Sequence, residues 1–230
     1  MPAASTTLRV LAASVIASLT VTGCQSLDDA GTALGRADLV NDLAARMDRA
    51  LEQTWAADYQ LAGGRTASIA QTKEPLRSSY TWPDGKITVT QEAVTTCAVA
   101  AARTSCTVRP PVLTAGRPSV AVYREAGRRG LVTPPAVIHL LTTAALDPEA
   151  SIAQHDTTLA GSPATCVDVS GAGDRFTACV TPEGVLGSFT GTLDGRPEEL
   201  ALTTWTDTVD PRAFEPPPGA GVVDRRNPKS

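Results

Sequence analysis

The feature that most constrains this chain is a change of hydrophobic period at Ala56. From there apolar residues recur at every second position, in short runs separated by turns. Ala57, Tyr59 and Leu61 share a face, and Gly63-Gly64 makes a turn. Ala67, Ile69 and Gln71 follow, then Leu76, Ser78, Tyr80 and Trp82. Pro83-Asp84-Gly85 is a tight-turn signal, with Ile87 and Val89 beyond it. Residues 94–99 and 104–108 close the series as a hairpin. Connections this short cannot carry a parallel crossover, so these strands are expected to form an antiparallel meander.

A second series of strands is predicted at 151–159, 164–170, 175–181, 186–193 and 199–208. Gly161-Ser162-Pro163, the stretch 171–174, Pro182-Glu183-Gly184 and Asp194-Gly195 punctuate it. Two helices separate the series. One covers 119–129, carries Val120, Val122, Tyr123 and Ala126, and stops at Gly130. The other covers 134–146, with Thr133 as N-cap and Pro134 at the first helical position. Its apolar residues wrap most of the circumference, which predicts burial on more than one side. Ahead of the sheet, Leu39, Leu43, Met47, Ala50, Leu51 and Trp55 recur at helical spacing behind Asp38, a candidate N-cap. Residues 211–224 are too proline-rich for a central strand and are expected along a sheet edge. Residues 225–230 are expected as a disordered tail.

The predicted fold is α+β. A strongly curved antiparallel sheet of about ten strands forms an unclosed β-barrel. An N-terminal helix precedes it, and the central pair of helices plugs its concave face.

Upstream of this domain, residues 10–19 are an apolar run too short to span a bilayer, preceded by Arg9. Val21-Thr22-Gly23-Cys24 then has the pattern of a bacterial lipobox. Residues 1–23 are read as a lipoprotein signal, Cys24 as the lipidation site, 24–36 as a flexible tether and 37–224 as one domain. Cys24 as an ordinary thiol behind a cleaved signal is the alternative. Two or more acyl chains, at about 0.8 kcal/mol per buried methylene, anchor a protein stably. The expected place is extracytoplasmic, on the cell membrane.

Four further cysteines remain: Cys97, Cys106, Cys166 and Cys179. An even number in an exported chain points to two disulfides, with three possible connectivities. Cys97–Cys106 and Cys166–Cys179 are favoured because each pair brackets one turn. Neither pair has metal-ligand spacing and both histidines lie elsewhere, so no metal is expected. The chain carries 20 basic and 24 acidic residues, a net charge of −4. That mild acidity argues against nucleic acid as a partner.

No catalytic constellation stands out. His139 and His155 have no serine or cysteine nucleophile arranged with them. Gly171-Ala172-Gly173 and Gly219-Ala220-Gly221 lack the strand–glycine–helix setting of a nucleotide loop. The expectation is a non-enzymatic protein without cofactors.

Several stretches resemble the LolA-like superfamily, which comprises the periplasmic lipoprotein carrier and the LppX/LprG-type lipoproteins. They are the helix leading into Trp55–Leu61 and the run Leu159-Ala160-Gly161-Ser162-Pro163-Ala164-Thr165-Cys166-Val167-Asp168-Val169. Residues 176–187 and the closing Phe214-Glu215-Pro216-Pro217-Pro218-Gly219-Ala220-Gly221-Val222 are similar as well. The resemblance implies an unclosed barrel that holds acyl chains in its concavity. A tether at Cys24 departs from the soluble carrier and favours holding or handing over a lipid near one membrane. Under this reading Val137, Ile138, Leu141 and Ala145 line the cavity, with Tyr80 and Trp82 at its mouth. A filled core is the plainer alternative for all six. Arg124, Arg128 and Arg129 are candidates for anionic head groups. The competing function is a sensor or scaffold lipoprotein that binds another envelope protein.

Overall fold

The computed structural model describes residues 23–100, 103–111, 113–114, 117–171 and 175–227. Residues 1–22, most of the expected signal, lie outside the described residues. The chain groups into two compact units, one ending at Leu39 and one beginning at Val40. No helix among the described residues is long and apolar enough to cross a membrane.

Helix α1 runs Gly23–Ala50. The segment expected as a flexible tether is therefore helical, and Asp38 lies inside the helix instead of capping it. No proline interrupts this stretch, and its alanines, leucines and glutamine offset Gly31 and Gly35. In the second unit Val40, Leu43, Met47 and Ala50 are buried, at helical spacing. The Ala50 carbonyl accepts from Trp55 Nε1 at 2.9 Å and from Gln71 Nε2 at 2.8 Å. With the Gln53 N–H at 3.2 Å, these bonds converge on one carbonyl at the helix end and explain the buried Gln71.

The first strand series is β1 (Trp55–Leu61), β2 (Thr66–Thr72), β3 (Arg77–Trp82), β4 (Gly85–Val89), β5 (Val94–Ala100) and β6 (Arg103–Arg109). A two-residue pair follows, β7 (Leu113–Thr114) with β8 (Arg117–Pro118). Helices α2 (Val120–Arg128) and α3 (Pro134–Leu146) come next. The second series is β9 (Ser151–Leu159), β10 (Ser162–Ser170), β11 (Phe176–Val180), β12 (Leu186–Leu193) and β13 (Arg196–Thr206), with β14 (Gly221–Asp224) near the C-terminus. Twelve strands join one curved sheet in the order β14-β6-β5-β4-β3-β2-β1-β13-β12-β11-β10-β9. The ends of that order are different strands that do not pair, so the barrel is unclosed.

The sheet is antiparallel except at one edge, where β14 pairs with β6 in parallel. Parallel strands need a long connection, here the whole of 110–220, and its last part, 207–220, carries the chain from β13 to β14. Residues 207–220 cross the outer face of the first series. Arg77 stacks over the Phe214 ring at 4.3 Å, and Lys86 Nζ donates to the Glu215 carbonyl at 2.6 Å. Arg225, expected in the disordered tail, donates its N–H to the Val108 carbonyl at 2.7 Å.

The registers put Trp55, Ala57 and Tyr59 on one face with Ile69, Tyr80, Ile87, Leu202, Phe189, Ala178 and Val167. All are buried, and the helices pack on this concave face. Tyr80 meets Tyr123 of α2 edge to face, with ring centroids 6.2 Å apart. Arg46 of α1 donates to Thr165 Oγ1 of β10 at 3.4 Å. Gly184, at φ +84°, brings the β11–β12 turn so close to α1 that a Cβ there would lie 2.0 Å from the Arg46 carbonyl oxygen.

Both disulfides lie on the opposite face. Each joins residues directly across an antiparallel pair, Cys97 to Cys106 on β5–β6 and Cys166 to Cys179 on β10–β11. The hairpin between β9 and β10 turns at Ala160-Gly161, one step earlier than the expected Gly161-Ser162-Pro163. Ser162 and Pro163 already pair with Leu159 and Thr158. Pro163 is tolerated because β11 begins pairing with β10 only at Thr165, beyond the proline.

Candidate functional site

A groove of about 540 Å³ lies between α2, α3 and the tip of the β12–β13 hairpin. Each wall follows from how its element is buried. Helix α2 turns Val122 and Ala126 inward. That leaves Val120, Tyr123, Arg124 and Gly127, spaced three and four apart, along the groove. The buried link Leu131-Val132-Thr133 forms the floor. Helix α3 buries Val137, Leu141 and Ala144, so Pro135, Ala136, His139 and Leu140 face the groove. The third wall is Thr192-Leu193-Asp194-Gly195-Arg196 together with Glu198.

None of the six residues expected at the cavity borders this groove. Val137 and Leu141 are fully buried, Ile138 and Ala145 partly so, and all four lie on other faces of α3. Tyr80 and Trp82 are buried under α2, at 3% and 5% exposure. Helix α3 borders the groove through other residues, and its apolar residues run all the way round. Periodicity therefore carries no signal for which face is left uncovered. The i, i+3, i+4, i+7 stripe Val120–Tyr123–Arg124–Gly127 is the available clue on α2.

The arginines of α2 separate by their partners. Arg128 Nη2 pairs with Glu125 at 3.2 Å. Arg129 pairs with Asp84 at 3.1 Å and Glu125 at 3.4 Å, and lies 5.6 Å from the Trp82 ring centroid. Arg124 is exposed on the groove wall and has no carboxylate partner among the described residues. Across the groove Arg196 and Glu198 face each other at 3.9 Å. Asp194 sits at the exposed hairpin tip.

Burial raises the Tyr123 hydroxyl pKa above its ordinary value, an effect that the Arg117 guanidinium opposes. The hydroxyl is therefore a neutral phenol at physiological pH.

His155 and His139 are not brought together. His139 borders the groove, whereas His155 lies on edge strand β9, its Nδ1 3.0 Å from Asp168 Oδ2. Thr177 Oγ1 donates to the same carboxylate at 2.7 Å. His155 is in register with Cys166, which pairs with Cys179, but both sulfurs of that row are tied in the disulfide. Among the described residues no three His, Cys, Asp or Glu side chains cluster as a metal site. Cys24 falls in the first turn of α1. The two disulfides belong to an oxidising, extracytoplasmic setting.

Fold and groove define a class of protein, an open curved sheet whose covering helices wall an apolar cleft. No family model matches the sequence, and no curated protein does. Solved structures with a related backbone include an uncharacterized conserved protein from Thermus thermophilus. It is 12% identical with a TM-score of 0.46, and the match covers 80% of this chain and 98% of that one. A chain of the Pseudomonas aeruginosa MucA/MucB complex is 12% identical with a TM-score of 0.44, over 73% of this chain and 56% of that one. LprF from Mycobacterium bovis is 10% identical with a TM-score of 0.38, over 75% and 95%.

Proposed function

We propose that this protein is a non-enzymatic, membrane-anchored lipoprotein that holds acylated, lipid-like ligands in the groove between α2, α3 and the β12–β13 hairpin. The observation that carries the reading is the groove itself. Its volume of about 540 Å³ falls within the range of ligand sites, and seven of its eighteen lining residues are leucine, valine, proline or alanine. The LolA-like resemblance of the sequence supports the choice of ligand, and the lipobox pattern at Cys24 supports the anchor.

The test is organic extraction of the purified protein followed by mass spectrometry. A lipid recovered in stoichiometric amount is the expected result. No lipid, together with no uptake of a fluorescent fatty acid, would overturn the reading. For the anchor, Cys24→Ala is expected to leave the membrane fraction; a variant that stays firmly bound would remove Cys24 from the account.

A second reading, a scaffold that binds another envelope protein, is favoured by β9. This nine-residue strand is a sheet edge with most of its residues exposed. Such an edge offers free backbone groups to an extended segment of a partner.

A further inference from the structure

We infer that the groove selects a single-chain amphiphile with an anionic head, and that Arg124 is the residue that recognises the head. The inference rests on the lipid-binding reading above and narrows it.

Two observations carry it. The first is size. At roughly 30 Å³ for each water-sized group, a volume of about 540 Å³ holds about eighteen such groups. That is one ordinary acyl chain. A second or third chain would have to lie along the open side of the groove, in contact with water.

The second is charge. Arg128, Arg129 and Arg196 each face a carboxylate, at 3.2 Å, 3.1 Å and 3.9 Å. Arg124 faces none among the described residues, although Glu125 follows it in sequence. The fold commits Glu125 to Arg128 and Arg129. A guanidinium left free beside an apolar cleft presents a fork of N–H donors that matches a carboxylate or a phosphate monoester. Val120 and Tyr123 lie beside it on the same wall, where the chain would enter. Two carboxylates share the opposite wall: Glu198, which faces Arg196 at 3.9 Å, and Asp194. Asp194 stands at the exposed tip of the hairpin, where solvent screens it.

The experiment uses membranes carrying the full chain. They are incubated with a photoactivatable palmitate, the corresponding fatty alcohol, or a photoactivatable diacyl phosphatidylglycerol. Crosslinked peptides are then mapped. Palmitate is expected to label the groove segments 120–140 and 192–198, and unlabelled palmitate to compete it away. The alcohol should label them at least tenfold less. Arg124→Gln should lower palmitate labelling at least tenfold and leave alcohol labelling unchanged, while Arg124→Lys should keep part of it. Arg124 is exposed and makes no ion pair among the described residues, so an unchanged melting temperature is expected for its variants.

Equal labelling by palmitate and alcohol, insensitive to Arg124→Gln, would overturn the role of Arg124 and leave lipid binding standing. Diacyl labelling as strong as palmitate would overturn the single-chain limit. No labelling of the groove by any of the three probes would overturn this inference and the lipid-binding reading together.

Discussion

Strand β4 is buried at every residue, while β9 is exposed along most of its length. Both belong to the same sheet, and neither is especially apolar. The difference comes from what covers each face: on β9 the concave-side Gln154, Asp156 and Thr158 are exposed as well as the outer-side Ala153 and His155. Over β2 to β4 the segment 207–220 adds a third layer, and Ala70, Ser79, Lys86 and Thr88 are buried beneath it. No comparable segment among the described residues covers β9, which also ends the sheet. Outer-face burial in the first series therefore follows from the C-terminal return, and strand position decides the rest more than apolar content does. Lys86 shows what the cover costs. Burial lowers its ammonium pKa below the usual value, and Glu215 partly opposes that shift.

The largest test of this contrast is the ring that anchors the return. Phe214 is 9% exposed and carries Arg77 on its face. Phe214→Ala is expected to cost about 3 to 4 kcal/mol, from the lost ring and the cavity it leaves. Ile152→Ala on β9, where the residue is only half-buried, should cost less than about 1 kcal/mol. Urea denaturation of both variants measures the pair. Equal losses would mean that the return does not stabilise the first series.

The disulfides give the next comparison. They close loops of 9 and 13 residues in sequence separation. Chain entropy assigns each about 2 to 3 kcal/mol, with the longer loop ahead by a few tenths. The Cys97–Cys106 hairpin is also held by β14, whereas β10–β11 has only the exposed β9 outside it. Replacing Cys166 and Cys179 by alanine should therefore lower the urea midpoint more than replacing Cys97 and Cys106. The reverse order would separate stability from the bracing of the edge.

Alkaline pH distinguishes the two series in another way. Tyr59 and Tyr80 are fully buried in β1 and β3, and burial raises both hydroxyls above the ordinary tyrosine range. The folded chain thus holds these protons more tightly than the unfolded chain, whose tyrosines titrate near pH 10. Their contribution to stability is complete below about pH 10 and is lost as pH rises above it. No tyrosine lies in β9–β13. Hydrogen exchange measured between about pH 10 and 11 should show protection falling first in β1 to β3, after correction for the intrinsic rate. Loss that begins in β10 to β12 would assign the alkaline transition to other groups.

Much of this architecture is legible in the sequence, for local reasons. Strands β9 to β13 and helix α3 follow from turn residues and period, and the two cysteine pairs bracket their hairpins. What escapes such reading depends on distant partners. Strand β14 is four exposed residues whose partner β6 lies more than a hundred positions earlier, so no local pattern announces a parallel pair. The helical stretch before Asp38 is built of small polar residues that look like a linker. The groove escapes because α3 is apolar all round, and the free state of Arg124 depends on where the fold puts Glu125 and Asp84. Those placements are tertiary facts.

The smallest effect lies in two hairpin turns of the second series. Ala160-Gly161 joins β9 to β10, and Asp194-Gly195 joins β12 to β13. Ala160 and Asp194 have nearly the same positive φ, 49° and 50°. Two-residue hairpins of this kind favour Asn or Asp before Gly, because those short polar side chains tolerate the left-handed region that alanine resists. Ala160→Asn is therefore expected to stabilise the protein by about 0.5 to 1 kcal/mol, and Asp194→Ala to destabilise it by a similar amount. A thermal melt of each variant reads the sign. Should Ala160→Asn lower the melting temperature, the exposed β9 edge would be held by contacts of the alanine methyl and not limited by its turn. Because the Asp194 turn also walls the groove, Asp194→Ala has a second readout there. A loss of palmitate labelling well beyond the loss of stability would show that the hairpin tip takes part in holding the ligand.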